Sequence, residues 1–219
     1  ILLLSCSDQG KFNDVIVTPH PLATEIGKIT FENGGNAFDA AVASAFALSV
    51  VEPSMSGIGG RLQVIFTKND TISGIDATTV VPNSYVHDEY ENGYKFIGVP
   101  GVVHGLIKLH ESRGNIPLSL LLEPVIELAN NGFKLTSGNA TRLNYSRQHI
   151  LNNSVTNYYL LQDTDFVVGA TLIQKELANV LKEIAQNGID GFYDGWVAKK
   201  MVDDIQKNGG FITLDNLKN

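Results

Sequence analysis

The sequence predicts a mixed α/β chain in which a small sheet is covered by a larger set of helices. Three observations lead there. Two strand-like runs, residues 61–68 and 71–81, are joined by Asn69-Asp70, a dipeptide suited to a tight hairpin turn. The run 40–51 carries no charge and has no polar face, so it reads as a helix buried on every side. Helical patterns then dominate the second half, with few further strands. One α/β layer accommodates this pattern, but the sheet is under-supplied for a complete domain, and the missing partner strands are expected in sequence outside these 219 residues.

The elements follow in order. "VIVT", 15–18, is a short apolar run that fits a buried strand. "PHPLATEIGKITFENGG" opens on prolines and closes on glycines, the punctuation of a helix, with Leu22, Ile26 and Ile29 marking its core face. Asn36 caps the next helix, Asp39 lies near its positive end, and Pro53 stops it. The glycines of "SGIGG", 56–60, precede the first hairpin strand. A polar loop runs from Pro82 to about residue 95. "FIGVPGVVHGLIKLHESRG" reads as strand, tight turn and helix, and "PLSLLLEPVIELANNGF" as a helix broken near Glu123 by its internal proline. Residues 136–167 are polar, with short helical pieces expected. Leu172, Leu177, Val180, Leu181 and Ile184 share one face of an amphipathic helix, and "GWVAKKMVDDIQKNGG" forms another.

Composition narrows the function classes. The chain is 43% hydrophobic and 18% charged, ordinary for a globular protein, and its net charge of -7 with no basic cluster argues against nucleic acid. No phosphate-binding loop occurs, and Gly57-Ile58-Gly59-Gly60 lacks the spacing and context of a dinucleotide site. The five histidines, at 20, 87, 104, 110 and 149, are never paired at metal-ligand spacing. Ser54 and Ser56 do not form a nucleophile elbow. What remains is a glycine-dense loop before a strand, which either brings backbone N–H groups close to a ligand or packs as a tight turn.

The single cysteine, Cys6, excludes an internal disulfide. It follows the apolar run Ile1 to Leu4 and the small residue Ser5 and precedes a polar stretch, as in a bacterial lipoprotein signal. Residues 1–14 are therefore expected to be a signal remnant and tether, and residues 15–219 the folded part. The other reading of Cys6 is a buried thiol on a short strand.

"ENGGNAFDAAVASAFALSVVEPSMSGIGG" resembles the start of the large subunit of the gamma-glutamyltransferase (gamma-glutamyltranspeptidase) family. "TPHPLATEIG", "GVPGVVHGL", "LLEPVIELANNGF", "DGFYDGWVAKKMV" and "GGFITLDNLKN" are similar to the family in the same order. The resemblance implies the N-terminal-nucleophile hydrolase fold, a four-layer α-β-β-α sandwich of which only a fragment lies here. It implies a precursor that cleaves itself, and a small-subunit threonine, downstream of residue 219, that attacks the γ-glutamyl amide and passes the acyl group to water or an acceptor. It implies no metal or organic cofactor, no catalytic residue within these 219 positions, and a piece inactive without the rest of the large subunit and the small subunit.

Two departures bear on specificity. Family members carry an Arg-Glu pair shortly before Ala-Pro, and its arginine grips the α-carboxylate of the γ-glutamyl group. Here "DATTVVP" puts Thr78 at the arginine position and Thr79 at the glutamate. The glycine run after "SGIGG" is interrupted by Arg61. The expected substrate contacts are therefore Arg61, Thr78 and Thr79, with Arg61 close to Thr78 across the hairpin and binding a carboxylate; the alternative is Arg61 in solvent or paired with Asp76. The expected function is cleavage of γ-glutamyl amides such as glutathione by hydrolysis or transfer. The competing readings are an amidase or acylase of the same fold and a non-catalytic surface binding protein.

Cys6 generates the first prediction. In cells making the full-length protein, radiolabelled palmitate is expected to label the wild type and not Cys6→Ser; equal labelling of both would disprove lipidation at this residue.

Overall fold

The computed structural model describes residues 14–87, 93–153 and 165–218. Cys6 and its flanks, and the acidic part of "HDEYE", lie outside the described residues.

The chain enters through an unpaired extended segment. The strand expected at 15–18 does not form: Val15 and Val17 are exposed, and no strand among the described residues lies beside them. Helix α1 (Pro21–Glu32) begins with His20 as N-cap, whose Nδ1 accepts a hydrogen bond from the Leu22 N–H at 3.2 Å. Its buried face is Ala23, Ile26, Gly27 and Thr30; of the three residues expected there, Ile26 is buried, whereas Leu22 is 37% exposed and Ile29 only half-buried. Close approach explains the shift. A Cβ on Gly27 would lie 2.5 Å from Ser44 Oγ, and that hydroxyl donates to the Ala23 carbonyl at 3.0 Å, so the smallest residues face the next helix.

Helix α2 (Ala37–Val51) is the buried helix that the sequence predicts, without charge from Ala40 to Val51. Asn36 and Asp39 form a capping box at its start. Asp39 is fully buried, and its carboxylate also accepts from the Asn115 N–H at 2.9 Å, while Asn36 Nδ2 donates to the Arg113 carbonyl at 2.7 Å. At the other end the Val50 carbonyl accepts from Gln174 Nε2 at 2.7 Å and the Val51 carbonyl from Asn139 Nδ2 at 3.0 Å. Beyond the helix the buried Glu52 carboxylate holds Arg142 at 2.9 Å.

Strands β1 (Leu62–Lys68) and β2 (Thr71–Ala77) pair antiparallel from Leu62↔Ala77 to Lys68↔Thr71. Asn69 (φ 50°) and Asp70 (φ 59°) both lie in the left-handed region, the turn that matches strand twist. Leu62, Val64, Phe66 and Ile75 face the core, whereas Ile65 and Ile72 on the outer face are 82% and 74% exposed. The strand expected to run on from Ala77 to Val81 and the one expected at Phe96-Ile97 are reduced to a single bridge, Val80↔Val99, and residues 93–96 form a 3₁₀ turn.

Helix α3 (Val102–Arg113) packs on α2 and both hairpin strands. Helix α4 (Leu118–Asn131) is not broken at Glu123: it continues through Pro124, since the buried Leu121, Leu122, Val125 and Ala129 anchor it on both sides of the proline. A short pair of strands, β3 (Phe133–Lys134) and β4 (Thr171–Leu172), brackets helix α5 (Ser137–Asn153). Over residues 137–153 the short helical pieces expected are one helix, started by a reciprocal cap: Thr136 N–H donates to Asn139 Oδ1 at 3.2 Å and Asn139 N–H to Thr136 Oγ1 at 3.1 Å. Helix α6 (Lys175–Asn187) buries Ala178, Leu181 and Ile184 against α4; Leu177 and Val180 are only partly buried, and Leu172 belongs to β4. Helices α7 (Asp190–Tyr193), α8 (Gly195–Lys207) and α9 (Leu214–Lys218) complete the described chain. Among the described residues the sheet content is two two-stranded pairs beside a continuous helical core, in keeping with a sheet-poor piece of the expected fold.

Gln174, buried beside α6, carries a stability prediction. Gln174→Leu removes the side-chain donor to the Val50 carbonyl at a buried helix end and is expected to cost about 1–3 kcal/mol. The measurement is the denaturant midpoint of the full-length protein, with the slope of the transition unchanged.

Candidate functional site

The end of α2 delivers the chain into the glycine loop. Met55 and Ser56 N–H groups donate to the Glu52 carbonyl at 2.9 and 2.8 Å, turning the chain back at once. Gly57 and Gly59 have no neighbour closer than 4.0 Å where a Cβ would stand, and none of Gly57, Gly59 and Gly60 has positive φ. Their bareness serves neither a left-handed turn nor close packing among the described residues; it leaves backbone open at the surface. The loop is tied down at its last glycine, whose carbonyl accepts from the Gly101 and Val102 N–H groups at 3.0 and 3.2 Å. Two N–H groups at the start of α3 are thereby satisfied by the loop itself.

Arg61 follows. It is exposed and makes no hydrogen bond or ion pair among the described residues; none joins it to Asp76. It stands on the wall of a cavity of about 460 Å³ between α2, the loop and α3, whose other walls include Phe46, Leu48, Ile58, Val102 and Leu106. Among the described residues Arg61 is the only charged one lining it, and the Ser49 hydroxyl in its wall already donates to the Phe46 carbonyl at 2.6 Å.

Thr78 lies one step beyond the Leu62↔Ala77 pair, as Arg61 does on the other strand, so the hairpin brings both to its open end. They face different spaces. Thr78 is half-buried on the wall of a second cavity of about 310 Å³, with Asp76, His104, Lys108 and Tyr193. Thr79 is exposed, its Cβ 3.4 Å from the position a Cβ on Gly98 would take. The start of α3 stands between the two cavities: a Cβ on Gly101 would strike the Ala77 and Thr78 carbonyls, which is why a glycine leads into this helix.

Tyr193 is the residue here that sequence reasoning misses. Its hydroxyl donates to the Pro100 carbonyl at 2.8 Å and accepts from the His104 N–H at 3.2 Å, pinning α7 to the first turn of α3. Burial disfavours the phenolate and pushes its pKa up to about 12, a shift that the His104 N–H partly opposes. The only sequence signal was an aromatic pair, Phe192-Tyr193, in a short helix too brief for periodicity. Among the described residues no group of His, Cys, Asp and Glu is placed to hold a metal ion, and no helix is long and apolar enough to cross a membrane.

A helical layer carrying a hairpin with a glycine loop at its open end is part of the N-terminal-nucleophile hydrolase fold. The chain superimposes on the gamma-glutamyltranspeptidase of Helicobacter pylori with a TM-score of 0.86 at 34% identity, covering 94% of this chain and 63% of that one. The sequence model of the family described as gamma-glutamyltranspeptidase matches residues 23–219, and this chain belongs to that family. It is 37% identical to the glutathione hydrolase proenzyme of Bacillus subtilis (strain 168), over 97% of this chain and 38% of that protein. It is also similar to the cephalosporin acylase of Bacillus halodurans, with a TM-score of 0.81 at 25% identity, covering 94% of this chain and 45% of the acylase.

Tyr193 supplies a prediction with a definite sign. The folded state holds this proton more tightly than the unfolded chain, whose tyrosines titrate near 10. The group's contribution to stability is therefore complete below pH 10 and is lost as pH rises toward about 12. Tyr193→Phe is expected to lower stability by roughly 1–2 kcal/mol at neutral pH. Denaturant midpoints measured across the alkaline range should show the gap between wild type and variant closing.

Proposed function

We propose that the full-length protein is a self-cleaving enzyme that hydrolyses γ-glutamyl amides such as glutathione or transfers the acyl group to an acceptor. The observation that carries this reading is the family match across residues 23–219, with an unbroken capped helix α2 leading into the glycine loop. In this reading the described residues supply a scaffold and one wall of the substrate cleft, and a threonine outside them supplies the nucleophile. Arg61 contributes a cation to that wall and binds the substrate carboxylate; Thr78 and Thr79 contribute neutral donors on the other side of the start of α3. The small subunit and the remainder of the large subunit complete the site. We further propose that Cys6 anchors the protein to a membrane on the periplasmic or outer surface of the cell through attached lipid.

A second reading has specific support. Thr78 and Thr79 replace the charged pair expected of a γ-glutamyl enzyme, and the fold is shared with a cephalosporin acylase. An amidase or acylase acting on another carboxylate-bearing amide fits both observations.

A denaturing gel of the full-length protein is expected to show two bands in place of the precursor. The same preparation should release p-nitroaniline from γ-glutamyl-p-nitroanilide and cleave glutathione. Arg61→Ala is expected to raise KM roughly ten- to a hundredfold, the scale of a charge-assisted hydrogen bond of about 1.5–3 kcal/mol, while leaving self-cleavage intact. An uncleaved precursor inert toward both compounds would overturn the enzyme reading, and unchanged kinetics in the variant would remove Arg61 from the site.

A further inference from the structure

Glu52 breaks a local rule. It caps the C-terminal end of α2, where the helix dipole disfavours an anion, and its side chain is only 6% exposed. A carboxylate buried there needs a cation beside it. Arg142 supplies one from α5: its Nη2 donates to both carboxylate oxygens, at 2.9 and 3.2 Å. The guanidinium lies back along its own helix over Gly138, where a Cβ would stand 3.3 Å from Nη2. Asn139, three residues earlier on α5, donates to the Val51 carbonyl at 3.0 Å, so α5 holds two successive residues at the end of α2. An ion pair of this kind adds little net stability, because desolvation of the charges offsets most of their attraction; what it can fix is geometry. The geometry it controls here is that of the glycine loop. The Glu52 carbonyl receives the Met55 and Ser56 N–H groups at 2.9 and 2.8 Å, the two bonds that fold the chain back. Met55, Ser56, Gly57, Ile58 and Gly60 then line the cavity of about 460 Å³, which neither Glu52 nor Arg142 reaches.

We propose that Glu52 and Arg142 are positioning residues: their ion pair sets the glycine loop on the cavity wall and so governs substrate binding without touching substrate. The proposal rests on the reading of this wall as the substrate-facing one. The coupling runs through one residue. The Glu52 backbone, at φ −126° and ψ 55°, is neither helical nor extended, so nothing in the helix before it dictates where its carbonyl points. Holding its side chain from α5 selects the direction that receives both loop N–H groups. The far end of the loop is fixed separately, by the Gly101 and Val102 N–H groups on the Gly60 carbonyl. A loop held at both ends keeps its backbone in one place on the wall; released at Glu52, it is held only at Gly60. A carboxylate at the wrong end of a helix, retained with an arginine to match it, is the kind of local conflict that a site requirement explains.

The test uses the full-length protein and separates position from stability. The double variant, Glu52→Met with Arg142→Met, leaves no buried charge unpaired, and its denaturant midpoint is expected to stay near the wild-type value. Amide hydrogen exchange over residues 53–60 should nonetheless quicken about tenfold, while residues 40–51 of α2 keep their protection. With γ-glutamyl-p-nitroanilide, KM should rise about tenfold and kcat change less than about twofold. Arg142→Lys, which keeps the cation, should recover most of both effects, and serves as the comparison if the double variant does not fold. Wild-type exchange in the loop of the double variant would overturn the proposal. So would faster exchange with an unchanged KM, because the loop would then move without consequence for substrate. Normal cleavage by the wild type, with neither loop exchange nor KM altered in the variants, removes this proposal and leaves the enzyme reading. A wild type that cleaves nothing removes the enzyme reading, and the exchange comparison then decides the positioning by itself.

Discussion

Helix α2 imposes the constraint on which the rest of this structure depends. A helix buried on all sides cannot leave its terminal N–H and C=O groups to water, so its neighbours must supply partners. At the start, the capping box satisfies the first turn, and the Asp39 carboxylate reaches across to the Asn115 N–H between α3 and α4. At the end, Gln174 and Asn139 donate to the last carbonyls, from the approach to α6 and from α5. The bonds from Asn115, Asn139 and Gln174 each span at least 76 residues of sequence. Satisfying one helix therefore positions four others, and the polar groups that do so are themselves almost wholly buried.

That constraint reaches the site through the glycine loop. The loop begins where α2 must stop and is held at its far end by the first N–H groups of α3. Its two attachments are thus a helix C-terminus and a helix N-terminus, both rigid, while the glycines between them remain uncovered. Arg61 leaves this loop at a fixed point, at the hairpin's open end. The same helix start that holds the loop also divides the space beneath it, so that Arg61 and Thr78 face separate cavities although they emerge at the same end of the hairpin. Tyr193 fixes the dividing helix from the opposite side.

The expectations that the structure altered share a cause. Pro124 reads as a break because a proline costs a helix about 3 kcal/mol, yet apolar residues packed before and after it outweigh that cost. Residues 137–153 read as fragments because their hydropathy is low, yet a capping pair and two long-range anchors to the end of α2 hold one helix together. The run 15–18 reads as a strand because it is apolar, but no neighbouring strand lies beside it among the described residues. In α1 the apolar residues mark the expected face, and the close contact at Gly27 turns the helix toward its small ones.

What the sequence determined by itself was everything encoded in a local pattern. The caps of α2, its burial, the Asn69-Asp70 hairpin and the glycine loop each depend on residues within one turn or one strand of each other. The family was legible for the same reason, since its longest matching segment is one continuous run from Glu32 to Gly60. The tertiary structure alone decided what depends on distant residues meeting: which carbonyls Gln174 and Asn139 satisfy, which cavity each of Arg61 and Thr78 faces, and that Tyr193 secures the helix between them. No local pattern carries those outcomes, because a hydrogen bond between positions 88 or more apart is set by how helices pack, and packing is a property of the whole chain.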